Sequence, residues 1–143
     1  MTIKKYGSAA WQGGLKDGKG SISTQSGALN AYPYGFAARF EGRPGSNPEE
    51  LIGAAHAACF TMALSLVLGE VKLTAEQMDT TSEVTLEKLD DGYAITAVHL
   101  TLKAKIPGAD EATFARIAAG AKANCPVSKL LKAEITMDAT LLA

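Results

Sequence analysis

Two periods of apolar and polar residues run along the chain. From Ser82 to Ile106 the period is two: Val84 and Leu86 alternate with Thr85 and Glu87, and Asp91-Gly92 marks a turn. On the return, Ala94, Thr96, Val98, Leu100, Leu102, Ala104 and Ile106 share one face. That pattern predicts a long antiparallel hairpin. In "EITMDATLL", Ile135, Met137, Ala139 and Leu141 are in phase and predict a closing strand. "WQGGLKDGKGSIST" predicts an earlier hairpin, with Asp17-Gly18 at positions that tolerate positive φ. "YGFAARFEG" predicts a short strand, with Phe36, Ala38 and Phe40 on one face and Ala37 and Arg39 on the other.

Between these strands the pattern turns helical. After the loop "GRPGSNP", Asn47 suits an N-cap, Pro48 the first helical position, and Glu50 completes a capping box three residues after Asn47. Glu49 and Glu50 complement the positive end of the helix dipole. The helix is expected to reach about Leu68 and stop at Gly69, with a short turn or helix at "TAEQM". "GADEATFARIAAGAKAN" predicts an amphipathic helix with Phe114 and Ile117 on one face, and "CPVSKLL" a short helix entered at Cys125. Strands, helix, strands, helices, strand is the order of an α+β fold with mainly antiparallel pairing. No repeat, low-complexity tract or linker divides the chain, so residues 1–143 are expected to form one domain.

Composition narrows the class of function. Fourteen basic residues against fifteen acidic ones give a net charge of −1, and no dense Lys/Arg run offers a nucleic-acid surface. The longest apolar stretch, Leu51 to Leu68, would pass a crude membrane filter. Acidic residues close both of its ends and no other segment resembles it, so a core helix is expected. The N-terminus lacks the apolar segment of a signal peptide, which makes the cytoplasm the expected location. In that reducing compartment, Cys59 and Cys125, 66 residues apart, are either two inert thiols or a working redox pair.

Local physics treats the two thiols differently. Cys59 lies about three turns into its helix, beyond the reach of the dipole, and its surroundings are rich in alanine. Activation there needs an outside cation, with His56 or an arginine as the candidates. Cys125 precedes Pro126 at a helix start, where unpaired N–H groups and Lys129 favour the thiolate. His56 and Cys59 form an H-x-x-C pair that with Cys125 would offer three zinc ligands. The signal is weak, since His99 is the only other histidine and alternates out of the apolar face. His56 reads better as a core histidine with one satisfied nitrogen. Taken alone, Arg39 is a surface charge and Glu49 a helix-start residue.

"NPEELIGAAHAACF", followed far downstream by "NCPVSKLL", resembles the OsmC branch of the OsmC/Ohr family of hydroperoxide peroxidases, and the resemblance runs end to end. It implies antiparallel sheets around a long central helix, in an intertwined homodimer. It further implies an enzyme that reduces organic hydroperoxides, and hydrogen peroxide less well. Cys59 matches the peroxidatic cysteine, which becomes a sulfenic acid. Cys125 matches the resolving cysteine, which closes a Cys59–Cys125 disulfide. A dithiol, in this family a dihydrolipoyl group on a protein, reopens it. Arg39 and Glu49 match the activating arginine and its carboxylate partner, with Arg43 the other candidate for the arginine. No metal, haem or flavin is implied.

Glu49 and Cys59 are ten residues apart on one predicted helix, ~15 Å along its axis. If both serve one site, the carboxylate is expected from a second chain, with two such helices crossing near Ala54 in an isologous dimer. The alanines around Cys59 suit an alkyl hydroperoxide. The competing reading is a non-enzymatic module, a redox sensor or ligand-binding protein switched by its two cysteines.

Overall fold

The computed structural model describes all residues, 1–143, which group into two compact units, Met1–Leu51 and Ile52–Ala143. In the first, β1 (Gly7–Gln12), β2 (Lys19–Thr24) and β3 (Tyr32–Tyr34) form an antiparallel sheet in chain order. The expected β1–β2 hairpin forms, with Gly7 opposite Thr24 and Gln12 opposite Lys19. Its positive φ falls at Gly13 (94°), not at Asp17-Gly18. Asp17 Oδ1 instead accepts the Gly14 N–H at 3.1 Å and holds the loop from its far side. Trp11 and Tyr34 meet edge to face across the sheet, centroids 5.5 Å apart.

The segment expected as a strand around Phe36 is a helix, α1 (Phe36–Phe40). Phe36 and Phe40 share a face at a spacing of four as readily as at a spacing of two. Here their rings pack 4.9 Å apart, and extended Gly35 starts the turn. No apolar side chain of Met1–Leu51 is buried.

The long helix, α2 (Pro48–Glu70), begins as expected. Asn47 Oδ1 accepts the Glu50 N–H at 2.8 Å, and its Nδ2 donates to the Glu50 carboxylate. It passes through Gly69 and ends at Glu70, and in the turn that follows Lys72 takes positive φ (60°). No turn or helix forms at "TAEQM"; Gln77 and Met78 already belong to β4 (Gln77–Leu89).

In the second unit β4 pairs antiparallel with β5 (Gly92–Lys105), and Asp90-Asp91 turns between them. A bulge at Thr85/Leu86 leaves Thr96 without an opposite residue, so the alternation expected from Ala94 is broken there. Burial is strict only from Val98 through Leu100, Leu102 and Ala104 to Ile106. The closing strand, β6 (Glu134–Leu142), pairs with β5 in parallel rather than antiparallel. α3 (Glu111–Asn124) and α4 (Pro126–Leu130) make the crossover that parallel pairing needs.

The core of this unit joins Phe60, Leu64 and Leu68 of α2 to β5 and to Phe114, Ile117, Ala118 and Ala121 of α3. α2 buries a single stripe of Gly53, His56, Phe60, Leu64 and Leu68. Gly53 approaches β4 so closely that a Cβ would stand 2.8 Å from the Ser82 carbonyl oxygen. The opposite face is apolar yet open: Ala54, Ala55 and Ala58 are exposed, with Met62 at 77% and Leu66 at 68%. By length and composition α2 could cross a membrane, but its buried stripe packs into this core.

Candidate active site

Chain geometry fixes Cys125 at a joint. Pro126 forces the residue before it out of the helical region. Cys125 is therefore extended (φ −62°, ψ 138°), closing α3 through its N–H to the Ala121 carbonyl at 3.0 Å and opening α4. Its Sγ serves as the N-cap acceptor, taking the Ser128 N–H at 3.3 Å. The Ser128 hydroxyl lies 3.1 Å from the same sulfur, and on its other side 2.7 Å from His56 Nε2. Cys125 and His56 are wholly buried, and His56 Nδ1 has no partner. Burial lowers the His56 pKa, so the ring is neutral.

Cys59 lies beside this cluster, one helical turn after His56, partly exposed where Cys125 is sealed. Burial raises its pKa above the ordinary thiol value. The Val127 N–H works against that, while the hydrogen bond and charge of the neighbouring Cys125 thiol push it further up. Within its own unit Cys59 is thus a thiol near pH 7. His56 supplies no cation, because it is neutral and turned to Ser128.

The other two residues meet in the first unit. α1 carries Arg39 and the first turn of α2 carries Glu49. Nη2 donates to Oε1 at 2.7 Å, and Nε donates to Oε1 at 3.1 Å and Oε2 at 3.3 Å. This is a fork gripping a carboxylate. Glu49 is 12% exposed, and the guanidinium also lies 5.3 Å from the Phe40 ring centre. The carboxylate pairs with Arg39 rather than Arg43. Arg39 sits at the edge of a cleft of about 200 Å³ lined by Trp11, Leu15, Tyr34, Phe36 and Phe40.

The structure therefore brings the four residues together as two pairs, Arg39–Glu49 and Cys59–Cys125, one in each unit. His99 is not merely solvated. Its Nδ1 meets Thr136 Oγ1 at 2.6 Å and its Nε2 meets Asp138 at 3.1 Å, both on β6. No group of three His, Cys, Asp or Glu side chains is arranged to hold a metal. Sequence reasoning missed Ser128, although the third residue after an N-cap donates its N–H to the cap, and that signal stands in "CPVS".

The family model described as OsmC-like protein matches residues 40–140. The chain belongs to the OsmC family. Among OsmC relatives, it is 59% identical over 138 residues to the protein named peroxiredoxin OsmC of Escherichia coli strain K12, covering 96% of each chain. It is 31% identical over 101 residues to an organic hydroperoxide resistance protein of Xanthomonas axonopodis pv. citri, covering 70% of this chain and 69% of the other. An organic hydroperoxide resistance protein OsmC of Legionella pneumophila has the same fold in its crystal structure. The TM-score is 0.70 at 25% identity, over 100% of this chain and 99% of that one. The OsmC/Ohr-like α+β fold expected from the sequence is the one found.

Proposed function

We propose that this OsmC-family chain, a thiol-dependent peroxidase, reduces organic hydroperoxides to alcohols and hydrogen peroxide more weakly. The observation that carries this reading is the adjacency of a partly exposed Cys59 and a buried Cys125. The Cys59 thiolate attacks the distal peroxide oxygen, the O–O bond breaks, and the alkoxide leaves as alcohol after taking a proton. Cys59 is then a sulfenic acid. The Cys125 thiolate attacks its sulfur, hydroxide leaves as water, and the Cys59–Cys125 disulfide remains. A dithiol, of the dihydrolipoyl type, reduces it by exchange.

Cys59 needs a cation, and Arg39 braced by Glu49 is the group we assign to it. A guanidinium beside the sulfur stabilises the thiolate and polarises the leaving oxygen. The aromatic cleft at Arg39 suits the alkyl part of the substrate. We assign the Arg39–Glu49 pair to Cys59 of a second copy. The ~15 Å of helix between Glu49 and Cys59 supports that arrangement, as do two apolar surfaces: the open face of α2 and a first unit with no buried apolar side chain. The working unit is then an intertwined homodimer of single-domain 1–143 chains, placed in the cytoplasm, with no metal or organic cofactor.

The test supplies cumene or tert-butyl hydroperoxide to catalytic protein with excess dithiol. Peroxide loss well beyond one equivalent per chain is expected, and none in Cys59→Ser. Loss that stops at one equivalent marks a redox sensor instead. A Cys59→Ser protein that turns over like wild type overturns the assignment.

A further inference from the structure

Among the buried polar side chains that the peroxidase mechanism leaves without a task, His56 and Ser128 are the ones beside Cys125. They stand in line with Cys125: Sγ to Ser128 Oγ is 3.1 Å, and Oγ to His56 Nε2 is 2.7 Å. The direction of this line follows from the other ring nitrogen. His56 Nδ1 is buried without a partner. An orphaned buried N–H is rarer than an under-used acceptor, so Nδ1 carries no proton and Nε2 does. Nε2–H then donates to Ser128 Oγ, and the hydroxyl is left with one donation to make, to Cys125 Sγ. Burial keeps the ring neutral, which preserves this tautomer.

Resting on the Cys59–Cys125 disulfide of the proposed mechanism, we propose that Ser128, oriented by His56, is the group that receives Cys125 when it leaves as a thiolate during reduction. Cys59 is the sulfur a reductant can reach, because Cys125 is wholly buried. One thiolate of the dithiol attacks Cys59 Sγ and forms a new S–S bond. The Cys59–Cys125 bond breaks, and its electron pair goes to Cys125 Sγ. Cys125 is sealed from bulk solvent, and the Ser128 hydroxyl and N–H both donate to that charge. The second thiol of the donor gives up a proton, Cys125 regains one, and the donor's second sulfur attacks its first sulfur in the mixed disulfide with Cys59. That step frees Cys59 as a thiolate and leaves the donor as a disulfide, two electrons poorer. A better-stabilised leaving thiolate leaves faster, so Ser128 also directs attack to Cys59. Ser128 and His56 are positioning residues here, since neither touches the peroxide.

Both half-reactions are to be followed by stopped flow: oxidation by tert-butyl hydroperoxide, then reduction of the isolated disulfide form by dithiothreitol. In Ser128→Ala the ratio of the reductive to the oxidative rate constant is expected to fall about tenfold, the usual scale for one hydrogen bond to a charged group. Ser128→Thr, which keeps the hydroxyl, should stay within about threefold of wild type, being left the same donor. A Ser128→Ala disulfide reduced at the wild-type rate overturns the proposal. So does a Ser128→Thr protein as slow as Ser128→Ala, because the lost property would then be fit rather than the hydroxyl. A wild-type chain that consumes peroxide without forming the Cys59–Cys125 disulfide overturns the parent mechanism, and is told apart by mass spectrometry of the oxidised protein.

Discussion

At the scale of single residues, the thiol chemistry turns on what surrounds each sulfur. Burial and the neighbouring Cys125 both hold Cys59 in its thiol form, and one backbone N–H from Val127 opposes them. Any activation must therefore come from a group added to this unit. If that group is Arg39, Arg39→Ala should move the pH profile of Cys59 alkylation by iodoacetamide upward by about one unit or more, the scale of one strong charge partner. Arg39→Lys should restore little, because an ammonium cannot reproduce the two-toothed grip on Glu49. An unchanged alkylation profile in Arg39→Ala would remove the arginine from the mechanism. His56 makes a separate prediction about stability. Its folded pKa lies below its unfolded one of about 6.5. Below that pH the unfolded chain gains a proton that the folded chain resists, so stability is present above it and is lost as pH falls. Urea midpoints should drop between about pH 7.5 and 5.5, and drop less in His56→Gln. An equal drop in both proteins would assign the acid sensitivity to other groups.

At the scale of elements, legibility followed how far one pattern excluded another. α2 was readable at its start because Asn47, Pro48 and Glu50 combine into a single capping arrangement. Its end was not, since Gly69 permits a stop without requiring one and the positive φ passed to Lys72. α1 was misread because five residues, F-A-A-R-F, satisfy both periods. β6 was readable as a strand from its half-buried alternation, but alternation carries no direction. The parallel pairing could have been inferred from the α3–α4 crossover preceding it. The cysteines stood out as residue types, whereas the Ser128–His56 line depends on tertiary placement that no local pattern encodes. Two substitutions measure what the elements contribute. Asn47→Ala should cost about 1 kcal/mol in chemical denaturation, the usual value of an N-cap. Gly53→Ala should destabilise by about 1–3 kcal/mol despite the better helix propensity of alanine, because its Cβ would sit 2.8 Å from a β4 carbonyl. A gain in melting temperature for Gly53→Ala would mean that α2 shifts from β4 freely.

At the scale of the whole molecule, the open face of α2 and the uncovered first unit both call for cover. Soluble proteins rarely leave contiguous apolar surface bare, and a small sheet gains independent stability only by packing a face. A second copy of the chain, as proposed above, would meet both needs by one symmetric contact, and the exposed Ala54, Ala55 and Ala58 would let two α2 helices approach closely. The arrangement has a consequence that a self-contained site lacks. In the proposed dimer each site would take Cys59 from one chain and Arg39 with Glu49 from the other. Cys59→Ser and Arg39→Ala homodimers should each be inactive with tert-butyl hydroperoxide. Unfolding them together and refolding as an equal mixture makes half of the dimers mixed. In each mixed dimer one site receives an intact Cys59 and an intact Arg39, while the other receives neither. Roughly a quarter of wild-type activity should return, by the counting that isologous symmetry imposes. Met62→Glu with Leu66→Glu, placed on the open face, should shift the sedimentation coefficient to that of a monomer and abolish turnover together. If the mixture stays as inactive as its parents while sedimenting as a mixed dimer, the arginine and the thiol serve each other within one chain.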